Sequence, residues 1–209
     1  MAILEDLNWR YATKKMNGEK VPSDKLAYIL EAIRLSASSS GLQPYEIFVI
    51  EKKEDLQKIH PIAHGQAQIP DASQVLVFAA WDKYTEERIN AVFSHMNAER
   101  GLPDSATDDY RKGLINTFSN MTEEQHHAHA AKQSYIALGT GLLAAAEQRV
   151  DATPMEGFKN DEMDAFLGLA DKGLKSTALL TLGYRDAEND WLVNLKKVRT
   201  PEEKFFTHL

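Results

Sequence analysis

The sequence contains no cysteine among its 209 residues, which excludes disulfide bonds, thiolate nucleophiles and thiolate metal ligands. Positive charge is also scarce, because 24 Lys and Arg residues face 31 Asp and Glu residues and leave a net charge of -7. Binding to nucleic-acid phosphates requires concentrated positive charge, so nucleic acid is not an expected partner.

Long hydrophobic runs and an N-terminal export signal are missing as well. The apolar stretches fall short of the roughly 20 residues that a membrane helix needs, so no membrane association is expected. The N-terminus has no basic flank followed by an apolar run. We therefore expect a cytoplasmic protein in which residues 1–209 form a single domain, since this length is sufficient to bury a core.

Hydrophobic periodicity predicts both helices and short strands, and hence an α+β chain. The predicted helices cover residues 2–12, 23–37, 54–60, 85–100, 105–120, 122–148 and 161–167. The predicted strands cover residues 46–50, 74–80 and 177–184. Thr122 and Gln125 have the spacing of a capping box, which predicts where the longest helix begins.

Two pairs of cations near the ends of this acidic chain are its most informative feature. Arg10 and Lys14 lie at i and i+4, so they share one side if the first helix continues through them. Lys197 and Arg199 lie at i and i+2, so they share one face if their segment is a strand. Two such pairs could grip an anion such as a phosphate.

Two other patterns have simpler explanations than a binding site. Residues 139–144 read G-x-G-x-x-A, but the residues before them continue a helix where a dinucleotide fingerprint needs a strand. Gly139 and Gly141 are therefore predicted to allow close helix packing. His126, His127 and His129 do not converge on a helix, so we interpret them as a solvated helix face, and no metal site is predicted.

The order of five segments resembles the nitroreductase family of flavin mononucleotide (FMN) enzymes. These segments are 10–14, 36–45, 65–73, 154–158 and 197–201. The resemblance runs over essentially the whole chain. It implies an intertwined homodimer with a central mixed sheet wrapped by helices, a C-terminal segment that crosses to the partner, and two FMN molecules at the interface.

The resemblance also assigns cofactor-binding residues by position. The phosphate and ribityl chain would be held by Arg10, Tyr11, Ala12, Lys14, Lys197 and Arg199. The other subunit would supply a loop containing Ala37, Ser38, Ser39 and Gly41. The polar edge of the ring would meet Gln66 and Gln68, of which Gln68 is preferred, and the turn of Pro154, Met155, Glu156 and Gly157 would run beside the ring. Ala12, Ala37 and Gly41 stand where the family pattern has serine, proline and asparagine.

By resemblance, the activity would be two-electron transfer from NADH or NADPH through FMN to a flat acceptor such as a nitroaromatic or a quinone, in a ping-pong mechanism. No side chain is predicted to act as a catalytic acid or base. The helices of 85–120 would roof the acceptor pocket, although their apolar residues could equally belong to the core. They are Phe93, Met96, Tyr110, Leu114 and Phe118. The alternatives are a Rossmann-type dehydrogenase without flavin and a non-catalytic FMN-binding dimer.

Overall fold

A computed structural model describes residues 3–209. Its helices are α1 (Ile3–Trp9), α2 (Ser23–Arg34), α3 (Lys53–Ile62), α4 (Glu86–Glu99), α5 (Asp108–Ser119), α6 (Glu123–Glu147), α7 (Asn160–Leu167) and α8 (Glu202–Phe205). Its strands are β1 (Tyr45–Ile50), β2 (Gln74–Trp81), β3 (Asp151–Met155) and β4 (Leu174–Gly183). The α+β prediction is confirmed, and the predicted start of the first helix at residue 2 lies outside the described residues. Within residues 3–209, no helix is long and apolar enough to span a bilayer.

The four strands form one sheet in the order β1-β2-β4-β3. All three pairings are antiparallel, so the expectation of a mixed sheet is wrong for the described chain. The reason lies in the connections, because α3 and α7 return the chain in the opposite direction instead of making a parallel crossover.

Helices cover both faces of the sheet, and successive residues of β2 pack alternately against the helices on one face and on the other. Val75 and Val77 pack in a cluster that includes Leu56 and Ile59 of α3 and Met163 of α7. Leu76 and Phe78 point the other way, into a cluster with residues of α2 and α6. A strand buried on both faces reads as a continuous apolar run, which is why β2 was predicted correctly.

Strand β3 was not predicted, and its sequence explains why. Pro154 lacks an N–H group and the strand also contains the polar residues Asp151 and Thr153. A proline is tolerated here because β3 lies at the edge of the sheet.

Helix α6 runs unbroken through the glycine pattern. Its capping box is confirmed, with Thr122 and Gln125 each accepting a hydrogen bond from the other's backbone N–H. A Cβ at Gly141 would lie 3.0 Å from Cδ1 of Ile33, so the packing role predicted for this glycine is confirmed. A Cβ at Gly139 would meet no atom of residues 3–209 within 4 Å, so the same prediction is wrong for Gly139 within the described chain.

The prediction that the three histidines form a solvated helix face is wrong. His126 is 8% exposed, and its Nδ1 accepts a hydrogen bond of 3.0 Å from the backbone N–H of Tyr84. Nδ1 of His129 lies 2.8 Å from the Tyr84 hydroxyl, and His127 lies within 3.2 Å of the Trp81 carbonyl. The loop between β2 and α4 covers this side of α6, which periodicity within the helix could not reveal. In the described part of the chain, no three His, Asp or Glu side chains are grouped so as to hold a metal ion.

Candidate functional site

The segment that carries Arg10 and Lys14 leaves the helix and runs beside β3. Helix α1 ends at Trp9, so the expected i and i+4 relationship on a helix is wrong. The Thr153 hydroxyl of β3 donates to the carbonyl oxygen of Thr13 at 2.8 Å. Thr153 of β3 therefore holds the backbone of the predicted anion-binding segment at the edge of the sheet.

Asp151, at the start of β3, also anchors this segment, because its carboxylate accepts a hydrogen bond from the Thr13 hydroxyl at 3.3 Å. Nε of Arg185 lies 2.9 Å from one of its carboxylate oxygens, and the Arg185 backbone N–H donates to the other at 2.8 Å. The Arg185 guanidinium also lies 4.5 Å from the ring centre of Trp9 and 4.6 Å from that of Tyr11. The Arg185 guanidinium, paired with Asp151, thus holds the rings of Trp9 and Tyr11, the residues on either side of Arg10.

Asp190 provides a second anchor from the C-terminal part of the chain. Its carboxylate accepts hydrogen bonds from the backbone N–H of Lys14 at 2.8 Å, the Tyr11 hydroxyl at 2.9 Å and the backbone N–H of Leu192 at 2.9 Å. Burial favours the neutral acid, but these donors together outweigh it and the pKa of Asp190 is lowered. The buried carboxylate thus stays ionised and binds the N-terminal segment.

Three of the four predicted cations lie close together. Lys197 and Arg199 belong to a segment without regular secondary structure, so the predicted strand is wrong, but the ammonium group of Lys197 donates to the carbonyl oxygens of Leu7 and Arg10. Burial and the nearby Arg199 lower the pKa of Arg10. Burial, then Arg10 and Arg199, lower the pKa of Lys197.

Near this cluster of Arg10, Lys197 and Arg199, the Asp151 carboxylate raises the pKa of Arg10 but does not outweigh burial and the charge of Arg199. Nε of Arg10 is buried and has no hydrogen-bond partner among residues 3–209. The side chain of Lys14 makes no hydrogen bond or ion pair with any residue of 3–209, and only its backbone is held. A groove of about 400 Å³ adjoins the cluster, with Tyr11, Arg185 and Lys197 among its lining residues.

The predicted serine loop follows α2 and adopts a strained conformation. Residues 39–41 make a single 3₁₀ turn, in which φ is 55° at Ser40 and 65° at Gly41. The Ser39 N–H donates to the side chain of Gln133 at 2.8 Å, and the Ser38 hydroxyl accepts from the N–H of residue 43 at 2.9 Å. Ala37 is exposed. Among the described residues, no hydrogen bond joins this loop to the cation cluster or to the turn after β3.

The conformation of Gly41 accounts for one departure from the family pattern. A φ of 65° is in the left-handed region, which glycine and asparagine adopt most readily. A Cβ there would lie 3.4 Å from Cε of Met96, an ordinary contact. Both the glycine present and the asparagine of the family pattern therefore suit the backbone.

The turn after β3 gathers the remaining predicted residues. Pro154 and Met155 end the strand, and Glu156 and Gly157 follow it. Nε2 of Gln66 donates to the carbonyl oxygen of Gly157 at 2.8 Å, which joins two predicted segments that are 91 positions apart. Gln68, the preferred candidate, follows Gln66 by two residues and is only 4% exposed.

Sequence reasoning missed Tyr135 of α6. Its hydroxyl donates to Oε1 of Glu156 at 2.6 Å. Tyr135 is a tyrosine in a half of α6 whose other residues are small or apolar, and this could have indicated a specific hydrogen bond from its hydroxyl.

The helices α4 and α5 enclose a pocket of about 640 Å³ beside the serine loop. Ser40, Gly41, Phe93, Met96 and Tyr110 are among its lining residues. The structure now separates the apolar residues predicted for this region. Phe93 and Phe118 are core residues, at 2% and 4% exposure, whereas Tyr110 is 54% exposed and Met96 and Leu114 are half-buried.

Comparisons with known proteins identify relatives of this chain. The model of the Nitroreductase family matches residues 7–184. The chain is 31% identical to the major NAD(P)H-flavin oxidoreductase of Aliivibrio fischeri, over 99% of this chain and 98% of that protein. It is 28% identical to the oxygen-insensitive NAD(P)H nitroreductase of Salmonella typhimurium, over 96% of each.

A solved structure shares the fold. It is that of an Exiguobacterium sibiricum protein in complex with FMN, which superimposes with a TM-score of 0.83 at 19% identity and covers 100% of this chain and 98% of that one. The relatives and the shared fold extend over nearly the whole described chain. This protein is therefore a member of the nitroreductase family.

Proposed function

We propose that this chain is an FMN-dependent NAD(P)H oxidoreductase that acts as a homodimer. The observation that carries the proposal is the convergence of Arg10, Lys197 and Arg199, where burial first and the neighbouring cations second lower the pKa of Arg10 and of Lys197. Its relatives are named as NAD(P)H-flavin oxidoreductase and NAD(P)H nitroreductase.

The residues of the cluster fit the phosphate of FMN. The buried Nε–H of Arg10 has no partner in the described part of the chain, and a phosphate oxygen would supply one. The guanidinium of Arg199 could bind a second oxygen in the same way. An anion placed here would also remove the repulsion among the three cations. Lys14, whose side chain has no partner among residues 3–209, is proposed to add a fourth charge when FMN is bound.

At the other end of β3, the chain offers polar groups for the flavin ring. A five-residue strand spans about 16 Å, so the cation cluster and the turn at Glu156 and Gly157 lie well apart on one edge of the sheet. The side-chain amide of Gln66 lies at this turn, where it donates a hydrogen bond to the Gly157 carbonyl oxygen. When bound, FMN would supply the two-electron chemistry that takes reducing equivalents from NAD(P)H and passes them to an acceptor. The residues of the chain would bind, orient and shield it.

The acceptor would enter beside α4 and α5. The pocket there is bordered by Met96 and the exposed Tyr110, which suit a flat apolar molecule, and by the serine loop at Ser40. Nitroaromatics and quinones are the proposed acceptors. NAD(P)H and acceptor would occupy this space in turn, which is the basis for proposing a ping-pong mechanism.

Exposed apolar side chains support the dimer. Trp191, Leu195 and Val198 are 69%, 58% and 77% exposed along the C-terminal segment. Ile136 is 47% exposed on α6. Contact with a second copy would bury such a set of side chains, and a C-terminal segment crossing to the partner would bury the first three.

Neither alternative function has comparable support. The Rossmann interpretation needs a strand before Gly139, but α6 is helical from Glu123 onward. The non-catalytic alternative predicts a bound flavin that NAD(P)H does not reduce.

Anaerobic stopped-flow mixing tests the mechanism. FMN-loaded protein is mixed first with NADPH or NADH and then, in a second step, with a nitroaromatic or a quinone. The proposal predicts that flavin absorbance bleaches in the first step and recovers in the second without bound nicotinamide, and that initial rates give parallel lines in double-reciprocal plots. Converging lines would reject the ping-pong mechanism, and failure of NAD(P)H to bleach the flavin would reject the oxidoreductase.

A further inference from the structure

The hydroxyl of Tyr135 lies between two acceptors at the turn after β3. It donates to Oε1 of Glu156 at 2.6 Å and lies 3.3 Å from the carbonyl oxygen of Thr177. The distance to Glu156 is that of a charge-assisted hydrogen bond from a hydroxyl to a carboxylate. Glu156 has no other hydrogen-bond donor from a side chain among the described residues.

A β-bulge places these groups together. In the pairing of β2 with β4, Phe78 faces Ala178 while Ala79 faces Ser176, so Thr177 is the extra residue. Its hydroxyl donates to the Phe78 carbonyl at 3.1 Å. Bulges bend a strand and redirect its groups, and this one turns the Thr177 carbonyl towards α6.

The protonation state of Tyr135 is set by its surroundings. Burial and the hydrogen bond to Glu156 raise the pKa of Tyr135 to about 12. The phenol therefore remains a donor at neutral pH, and it partly offsets the negative charge of the carboxylate it contacts.

We propose that Tyr135 is a positioning residue that holds the Glu156 carboxylate beside the flavin site and limits its negative charge there, so that the pair sets the reduction potential of the bound FMN. This inference rests on the proposed function. Two-electron reduction adds negative charge to a flavin, which a nearby unpaired carboxylate opposes. A carboxylate that is fixed and hydrogen-bonded opposes it less.

A double-mutant cycle on FMN-loaded protein tests the pair, with the midpoint potential of the flavin as the readout. Glu156→Gln should raise the potential because it removes the negative charge. Tyr135→Phe should lower it, by weakening the binding of reduced FMN relative to oxidised FMN about threefold, which corresponds to about 14 mV for a two-electron couple. In the Glu156→Gln background, Tyr135→Phe should have no effect.

The chain offers a matched control. Tyr28 donates to the carboxylate of Glu147 at the same distance of 2.6 Å. Glu147 lies 12 residues from Tyr135 on α6, or about 18 Å along the helix. Tyr28→Phe removes the same kind of hydrogen bond and should leave the potential unchanged.

The outcomes separate this inference from the proposed function. If FMN binds and is reduced by NAD(P)H but its potential is the same in wild type and Tyr135→Phe, the positioning role is wrong and the proposed function stands. A change in thermal stability without a change in potential also rejects it, because a purely structural contact would behave in this way. If the wild-type protein does not bind FMN, the proposed function itself fails.

Discussion

The ammonium group of Lys197 donates a hydrogen bond to the backbone carbonyl oxygen of Arg10, 187 positions earlier in the chain. This contact joins the two ends of the protein and places the Arg10 and Arg199 guanidinium groups near a third cation. The acidic chain thus concentrates positive charge at one place. Removing one of these cations should weaken the binding of an anion there, but it should not reduce the stability of the anion-free protein.

Arg199→Gln tests that relationship. It should weaken FMN binding about tenfold, because a charge-assisted hydrogen bond contributes on the order of 1.5–3 kcal/mol and each 1.4 kcal/mol is a factor of ten. The stability of the FMN-free protein should stay the same or rise, since repulsion with Arg10 and Lys197 is relieved. Fluorescence titration with FMN measures the first effect and urea unfolding the second. Lys204→Gln, an exposed change in the same C-terminal segment, is the control and should alter neither.

Much of the fold was predictable from local sequence. The buried strand β2, the capping box at Thr122 and the long helix α6 each follow from patterns within one segment. The errors share a different cause. The burial of His126 depends on the Tyr84 loop, and the edge position of β3 makes Pro154 acceptable. These are tertiary relationships that a single segment does not encode.

The local geometry of the candidate site was harder to predict than the fold. The spacing of Lys197 and Arg199 suggested a strand, but the structure brings them to Arg10 from an irregular segment. The role of Tyr135 was not predicted because its partner, Glu156, is 21 positions away and the two groups meet only through the packing of α6 against the sheet.

Asp190→Asn should destabilise the protein by about 1.5–3 kcal/mol, because the buried carboxylate accepts charge-assisted hydrogen bonds from Tyr11, Lys14 and Leu192. The pKa of Asp190 is lowered in the folded state, so its contribution is present above the unfolded value near 3.9 and is lost as the pH falls through the lower folded value. Urea unfolding at pH 7 measures the loss. Glu188→Gln, an exposed neighbour, should have little effect, and equal losses in the two variants would argue against the anchoring role.

Gly41 should accept asparagine but not valine. Its φ of 65° is accessible to asparagine, whereas a β-branched residue there should lose about 1–2 kcal/mol. The free energy of unfolding of Gly41→Asn should therefore be close to that of the wild type, and that of Gly41→Val should be clearly lower. If the two variants are equally stable, the left-handed conformation of this loop is not required.

Stability should decrease as the pH falls below about 6.5, the ordinary pKa of histidine. Burial, then Lys132 and His126, lower the pKa of His129. A base whose pKa is lowered by folding contributes stability above its unfolded pKa and loses it as the pH falls through the folded value. Because the ring is partly exposed, the loss from this residue should be about 1 kcal/mol or less.

The comparison that isolates this residue is the urea midpoint of wild type and His129→Gln between pH 7.5 and pH 5. The variant should lose less stability over that interval than the wild type. Parallel curves would show that His129 does not contribute to the acid sensitivity.

The most direct test of the account is the absorption spectrum of the purified protein, reconstituted with FMN, before and after anaerobic addition of NADPH or NADH. We expect flavin bands that remain with the protein after removal of free FMN and that bleach when the reductant is added. A protein that remains colourless after incubation with FMN would contradict the assignment of Arg10, Lys197 and Arg199 as a phosphate site and, with it, the proposed function.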